Sequence, residues 1–148
     1  MNESKGGFLI SQIKQIQARV FNQLLQKAGI EEFNGAQGRI LYVLWQEDGL
    51  IIREISQRTG LAKTTLTAML KRMEDQGFIE RTQKGNDGRQ SCIVLTQKAK
   101  DLSDKYNEVS QKMIDIFYDG FEDEEIIIFE QTLERIKNHL QEVEKENE

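Results

Sequence analysis

The sequence has almost none of three residue types: proline, which interrupts helices and strands, cysteine, which forms disulfides, and histidine, which binds metals and transfers protons. Its 148 residues include no proline, one cysteine and one histidine. The single cysteine, Cys92, excludes an internal disulfide framework and is typical of a protein in a reducing compartment. The single histidine, His139, has no cysteine or second histidine near it in the sequence, so it does not predict a zinc site.

Long apolar runs are also missing. No stretch approaches the ~20 residues that a membrane-spanning helix needs, and no charged-then-apolar leader opens the chain. The run Phe8-Leu9-Ile10 is far too short for either. The sequence therefore predicts a cytoplasmic protein that does not associate with a membrane.

Arrangements typical of catalysis do not occur in the sequence. There is no nucleophile–base pair, no phosphate-binding glycine loop and no cluster of carboxylates at metal-ligand spacing. We therefore expect no enzymatic activity, no cofactor and no bound metal.

The charge is distributed unevenly along the chain. The formal net charge is −5, but residues 36–100 carry 11 Lys/Arg against 7 Asp/Glu, a net charge of +4. Residues 101–148 carry 5 against 15, a net charge of −10. A local basic patch governs phosphate binding more than the whole-chain charge does. The middle of the chain is thus the candidate for binding nucleic acid, although an ordinary surface can carry the same charge.

The stretch Ile51–Gly77 predicts two helices joined by a sharp turn. The first helix ends at Thr59-Gly60, where glycine suits the left-handed conformation of a tight helix exit. The second starts near Lys63, with Thr64 or Thr65 available as caps, and ends at Gly77. Its apolar residues recur at helical spacing and form one face; they are Leu66, Met69, Leu70 and Met73. This is the pattern of a helix-turn-helix, whose second helix fits a DNA major groove.

Two short strand-like runs follow the second helix. Phe78–Thr82 and Ser91–Thr96 are rich in β-branched or apolar residues, and the segment between them, Lys84–Arg89, contains the Gly and Asn-Asp that a hairpin bend requires. A helix-turn-helix followed by a hairpin with a basic tip is a winged helix. The sequence therefore predicts a mainly α-helical fold with a small β-wing.

The hairpin also carries a family signature. Asp87-Gly88-Arg89, five further residues and then Leu95-Thr96 resemble the D-x-R-x5-L-T wing signature of the MarR family of bacterial transcriptional regulators. The resemblance extends to Leu61–Thr65 and Arg72–Ile79, and to the number and place of the flanking helices. One position departs from the family: Gly88 stands where arginine is common, so one possible phosphate contact of the family is not expected here.

Several residues of the second helix remain available to DNA once its apolar face is buried. Threonine hydroxyls can hydrogen-bond to base edges, and threonine and alanine methyl groups suit the thymine methyl. Lys71 and Arg72 are expected to hold phosphates, which set register rather than specificity. The predicted DNA-binding residues of this helix are Lys63, Thr64, Thr65, Thr67, Ala68, Lys71 and Arg72. The alternative is that they are ordinary exposed helix residues.

In the wing, Lys84 and Arg89 are the cations that could reach the DNA backbone or an adjacent minor groove. The family resemblance implies that Arg89 contacts DNA and that Asp87 orients it through a salt bridge. Arg53, in the preceding helix, is a weaker candidate for a phosphate contact. The alternative is that Asn86-Asp87-Gly88 only forms the turn.

Long amphipathic helices are predicted on both sides of the winged region. Phe8–Ala28, Leu102–Tyr118 and Glu122–Val143 carry apolar residues every three or four positions, and the last two stripes are heptad-like. Narrow apolar stripes of this kind, here called seams, are best buried by packing the helices against each other and against a second copy of the chain. We therefore divide the chain into an N-terminal dimerisation helix and connector (1–35), a winged helix-turn-helix lobe (36–100) and C-terminal dimerisation helices (101–148).

These observations predict a homodimeric regulator that binds a pseudo-palindromic operator in double-stranded DNA, and we expect it to be a repressor. The family resemblance implies that a small, often aromatic or phenolic, effector binds where the first and fifth helices meet the DNA-binding lobe. Three alternatives stay open: a regulator without an effector, a thiol-based redox sensor acting through Cys92, and a helical dimerisation protein whose winged fold binds protein. Cys92 lies in an apolar strand with no resolving cysteine, which favours packing over sensing.

Overall fold

The structure, a computed structural model, describes residues 3–30, 35–84 and 90–147. Within them the chain is mainly helical with one small sheet, as the sequence predicts. The elements in chain order are α1 (Gly6–Lys27), α2 (Gly35–Gln46), β1 (Leu50–Ile51), α3 (Ile52–Thr59), α4 (Lys63–Asp75), β2 (Ile79–Lys84), β3 (Gln90–Leu95), α5 (Gln97–Asp101), α6 (Ser103–Phe117) and α7 (Asp123–Glu146). None of the helices described is long and apolar enough to cross a membrane.

The chain divides into two compact units, one ending at Met113 and one starting at Ile114. The core of the first unit lies between α2, α3, α4 and the sheet. Its fully buried side chains include Ile40, Leu41, Leu44, Ile55, Leu66, Leu70, Met73 and Phe78. The predicted apolar face of α4 is confirmed, with Met69 half-buried at its edge. The sequence-based division at residues 35 and 100 stays a prediction.

The sheet has three antiparallel strands in the order β1-β3-β2. The predicted hairpin is present as β2 and β3, with Ile79 opposite Leu95 and Arg81 opposite Ile93. A third strand, β1, pairs Ile51 with Cys92 on the other side of β3. β1 was not predicted from the sequence, because a strand of two residues has no periodicity.

The helix ends on either side of α4 are where the sequence predicts them, but the N-cap residue of α4 is not. Gly60 has φ 76° and Gly77 has φ 82°, so both glycines adopt the left-handed conformation at the predicted helix ends. The predicted threonine caps are wrong, because Ala62 is the N-cap residue and makes no side-chain capping hydrogen bond. Thr64 and Thr65 lie inside the first turn, which leaves both side chains on the helix surface.

A short helix, α5, lies between the sheet and the predicted helix that starts near Leu102. Thr96 is the N-cap residue of α5, and its Oγ1 accepts a hydrogen bond of 3.3 Å from the Ala99 N–H. α6 follows after Leu102 and buries Tyr106, Val109 and Met113. The predicted helix Leu102–Tyr118 corresponds to α6, although Ile116 of its apolar stripe is exposed. The short helix α5 was not predicted.

The second unit contains the corner between α6 and α7. The Tyr118 hydroxyl donates a hydrogen bond of 2.6 Å to Glu130 Oε2, and the Tyr118 ring lies edge-on to Phe129 at 6.2 Å. Partial burial and the Glu130 carboxylate raise the pKa of Tyr118 to about 12. α7 begins with three acidic residues after Glu122, as expected for a helix N-terminus.

Candidate nucleic-acid interface

One side of α4 is exposed and carries the predicted DNA-binding residues of that helix. Lys63, Thr64, Thr65, Thr67, Ala68, Lys71 and Arg72 are all exposed. Thr64, Ala68 and Lys71 follow each other at intervals of four and three residues, so they form one line along the helix. Leu66 and Leu70 point to the opposite side, into the core. The helix therefore presents a polar and basic surface along its length.

The cations of this surface are only weakly engaged by the protein. Lys71 Nζ lies 4.0 Å from Asp75 Oδ1, with both side chains about 70% exposed. An exposed pair of this kind contributes about 0–1 kcal/mol and is screened by salt. Lys71 is therefore available to a stronger anion such as a phosphate. Within the described residues, Lys63 and Arg72 form no ion pair.

The three threonines of α4 are not equivalent. The Thr67 Oγ1 donates a hydrogen bond of 2.8 Å to the Lys63 carbonyl, so its proton is used inside the helix. Among the residues that the structure describes, no such bond is formed by the hydroxyl of Thr64 or Thr65. Hydroxyl donation to a base edge is therefore open to Thr64 and Thr65, whereas Thr67 offers a methyl group and an acceptor. The sequence alone did not distinguish them.

Side chains of α3 brace the turn that leads into α4. The Ser56 Oγ donates to the Leu61 carbonyl at 2.7 Å, and the Thr59 Oγ1 donates to the Ile55 carbonyl at 2.7 Å. The Leu61 N–H in turn donates to the Thr59 Oγ1 at 3.2 Å. These bonds fix the turn on both sides of Gly60. The sequence analysis missed them, although serine and threonine beside a turn glycine are a known signal for such bonds.

The wing candidates are only partly described. Lys84 is the last residue of β2, and its side chain lies outside the described part of the structure. Asp87 and Arg89 lie outside the described residues, so the salt bridge between them stays a prediction. Arg81 of β2 lies 3.6 Å from the Glu74 carboxylate of α4, which links the base of the wing to the helix. Arg53 is exposed on α3.

The remaining candidates from the sequence are not gathered into a site. The Cys92 side chain is 6% exposed on β3, which matches the packing interpretation. His139 is exposed on α7. In the described ranges, no three His, Cys, Asp or Glu side chains are placed to hold a metal ion.

A helix-turn-helix whose second helix exposes a polar, basic face beside a β-hairpin defines a winged-helix transcriptional regulator. The MarR family model matches residues 33–91 of the chain. The chain is 32% identical over 103 residues to the HTH-type transcriptional regulator SarZ of Staphylococcus saprophyticus, covering 69% of each chain. The protein belongs to the MarR family of transcriptional regulators.

Two further similarities support this placement. The chain is 42% identical over 74 residues to the HTH-type transcriptional regulator TtmR of Methylorubrum extorquens, which is 50% of this chain but only 38% of TtmR. It also superposes on the structure of reduced AbfR bound to DNA, with a TM-score of 0.74 and 26% identity over 92% of both chains.

Proposed function

We propose that this protein is a homodimeric repressor that binds a pseudo-palindromic site in duplex DNA with one α4 in each half-site, and that a small molecule releases it. The observation that carries the proposal is the exposed face of α4. It combines hydroxyl groups that suit base edges with cations that suit phosphates, on a helix of the width that the major groove accepts. The structural relative AbfR is bound to DNA, which supports the same partner for this chain.

The dimer is supported by apolar residues that the single chain leaves in water. On α1, the predicted seam exposes Leu9, Ile13 and Ile16 by 41–52%. On α7, taken separately, Ile136 is 44% and Leu140 is 60% exposed. Stripes of this length are unfavourable in a monomer, and a second copy of the chain is the partner that heptad-like spacing suits.

The effector is supported by a group of aromatic side chains between α1, α2 and α6. The Tyr106 ring lies edge-on to Phe21 at 5.6 Å and 5.1 Å from Trp45. Arg39 and Tyr42 are exposed nearby on α2, and burial raises the pKa of Tyr106 more than the positive charge of Arg39 lowers it. Tyr106 itself is buried, so the surface that an aromatic acid could reach here is the exposed ring of Tyr42 and the Arg39 guanidinium. We therefore propose this region for effector binding.

The test is the binding of the purified protein to duplex DNA across a range of salt concentrations. For phosphate-mediated binding, the logarithm of the binding constant falls linearly with log salt, with a slope of about −0.9 for each phosphate neutralised. We expect a slope that corresponds to several phosphates. A binding constant that does not change with salt concentration, or no binding at low salt, would instead favour the alternative in which the winged fold binds protein. Aromatic acids titrated into the DNA complex test the effector.

A further inference from the structure

The short helix α5 is attached to the end of α4. The Thr96 Oγ1 donates to the Gly77 carbonyl at 2.6 Å, and the Thr96 N–H donates to the Phe78 carbonyl at 3.0 Å. Gly77 and Phe78 are the residues through which the chain leaves α4. The Leu95-Thr96 pair of the wing signature therefore connects the hairpin, the end of α4 and the start of α5.

A second contact joins the two helices directly. The Lys98 Nζ donates a hydrogen bond of 3.0 Å to the carbonyl of Gln76, the C-cap residue of α4. The same ammonium lies 4.6 Å from the centre of the Phe78 ring, which is fully buried. The carbonyls at a helix C-terminus carry partial negative charge, so a cation here stabilises the last turn.

The residue after Lys98 fixes α5 to the core. Ala99 is completely buried, and its carbonyl accepts a hydrogen bond of 3.0 Å from the Trp45 Nε1 of α2. A displacement of α5 would therefore break contacts to α2 as well as to α4. The position of the C-terminal end of α4 is thus tied to α2 through Lys98 and Ala99.

We propose that Lys98 is a positioning residue for DNA recognition: it fixes the C-terminal end of α4 and thereby the orientation of the residues that contact bases, without itself contacting DNA. The inference rests on the proposed function. Gln76 lies twelve residues beyond Thr64, or about 18 Å along the helix axis, so a small tilt at the Lys98 contact changes the angle of the whole base-contacting surface. Base contacts tolerate only ~10–20° of such error.

The experiment replaces Lys98 and uses Lys100 as a matched control. Lys98→Met retains an unbranched apolar side chain and removes the ammonium, whereas Lys98→Arg retains a cation. Lys100→Met removes the same charge two residues away on α5, from an exposed side chain that makes no ion pair or hydrogen bond within the described ranges. Operator and random duplexes are titrated with each variant across salt concentrations.

We expect Lys98→Met to weaken operator binding about 3- to 10-fold, to leave random DNA within twofold and to keep the salt slope unchanged. Lys98→Arg and Lys100→Met should bind operator within twofold of the unsubstituted protein. A parallel loss on both DNAs, with a slope reduced by about 1, would identify Lys98 as a phosphate contact and overturn the proposal. Equal effects of Lys98→Met and Lys100→Met would overturn it too.

Amide hydrogen exchange of the free protein tests, independently of DNA binding, whether Lys98 stabilises the C-terminal end of α4. The Gln76 and Phe78 amides bond to the Arg72 and Met73 carbonyls in the last turn of α4. Lys98→Met should accelerate their exchange several-fold, and Lys100→Met should not. Unchanged exchange in Lys98→Met would refute the proposal. A protein that showed this acceleration but did not bind DNA would refute the proposed function and leave the contact between α5 and α4 established.

Discussion

The Tyr106 ring of α6 lies directly against Gly38 of α2. A Cβ placed on Gly38 would be 2.5 Å from the Tyr106 Oη and 2.6 Å from its Cε2. Such distances are far below van der Waals contact, so only glycine allows this approach of α2 and α6. Burial raises the pKa of Tyr106 to about 12, as expected for a ring enclosed in this way.

The first prediction is that Gly38→Ala destabilises the fold. The added methyl must displace a buried ring, which typically costs about 1–3 kcal/mol. Chemical denaturation should show the loss. Gly7→Ala is the matched control, because Gly7 is also helical and a Cβ added to it would meet no described atom within 4 Å; it should be neutral or stabilising by up to ~1 kcal/mol. Equal stabilities of the two variants would show that Tyr106 moves away freely.

The second prediction separates the threonines of α4. Thr64→Val and Thr65→Val remove hydroxyls that are open to a base edge, so each should weaken operator binding about 3- to 10-fold, as the loss of one neutral hydrogen bond does. Random DNA should be affected less, because base contacts carry the sequence information. Thr67→Val is the comparison: it keeps a methyl group and loses a hydroxyl whose proton already bonds to the Lys63 carbonyl, so it should weaken operator binding less than the other two changes.

Lys71→Ala completes this comparison. A phosphate contact contributes equally on every sequence, so the variant should weaken operator and random DNA alike and reduce the salt slope by about 1. If the threonine variants also lowered both affinities equally, their assignment to bases would be wrong.

The third prediction concerns Asp87 and Arg89, whose roles are implied by the family resemblance. Arg89→Ala should weaken operator binding and reduce the salt slope by about 1. Asp87→Ala should have a smaller effect, about 0.5–1.5 kcal/mol, because it only restricts where the arginine points. In the double mutant, the loss of Asp87 should add almost nothing. If the losses of the two single mutants added up in the double mutant, Asp87 and Arg89 would not be coupled. If Arg89→Ala had no effect on binding, the wing would not contact DNA through this residue.

The fourth prediction is that the apolar seam of α1 holds a dimer together. Ile13→Glu places a charge on the seam and should shift sedimentation at micromolar protein from twice the chain mass towards the chain mass. Gln15→Glu introduces the same charge at an exposed position away from the seam and should remain dimeric. A folded monomer of the unsubstituted protein would contradict the dimer.

The sequence predicted the parts of the fold that depend on local pattern. The spacing of Leu66, Leu70 and Met73 identified the buried face of α4, and Gly60 and Gly77 marked helix ends where positive φ is required. Bonds between distant residues left no such pattern. Trp45 and Ala99 are separated by 54 positions and Lys98 and Gln76 by 22, and neither pair has a periodicity that could reveal it.

The candidate DNA-binding surface was also predicted only in part. Helical periodicity placed the residues of α4 on the exposed side, but it could not show that the Thr67 hydroxyl is engaged, because that depends on a side-chain rotamer. The predicted cap at Thr64 or Thr65 was wrong because threonine preference alone does not decide which residue starts the helix. The roles of individual side chains on DNA stay predictions.

The most direct test of sequence-specific DNA binding is selection from a pool of random duplexes with the purified protein. We expect enrichment of an imperfect inverted repeat whose half-sites lie about one helical turn, or a multiple of it, apart. The Thr64→Val and Thr65→Val variants should enrich this repeat less strongly while still retaining duplexes from the pool. Enrichment of no sequence, or of a site without two-fold symmetry, would contradict a dimer that places one α4 in each half-site.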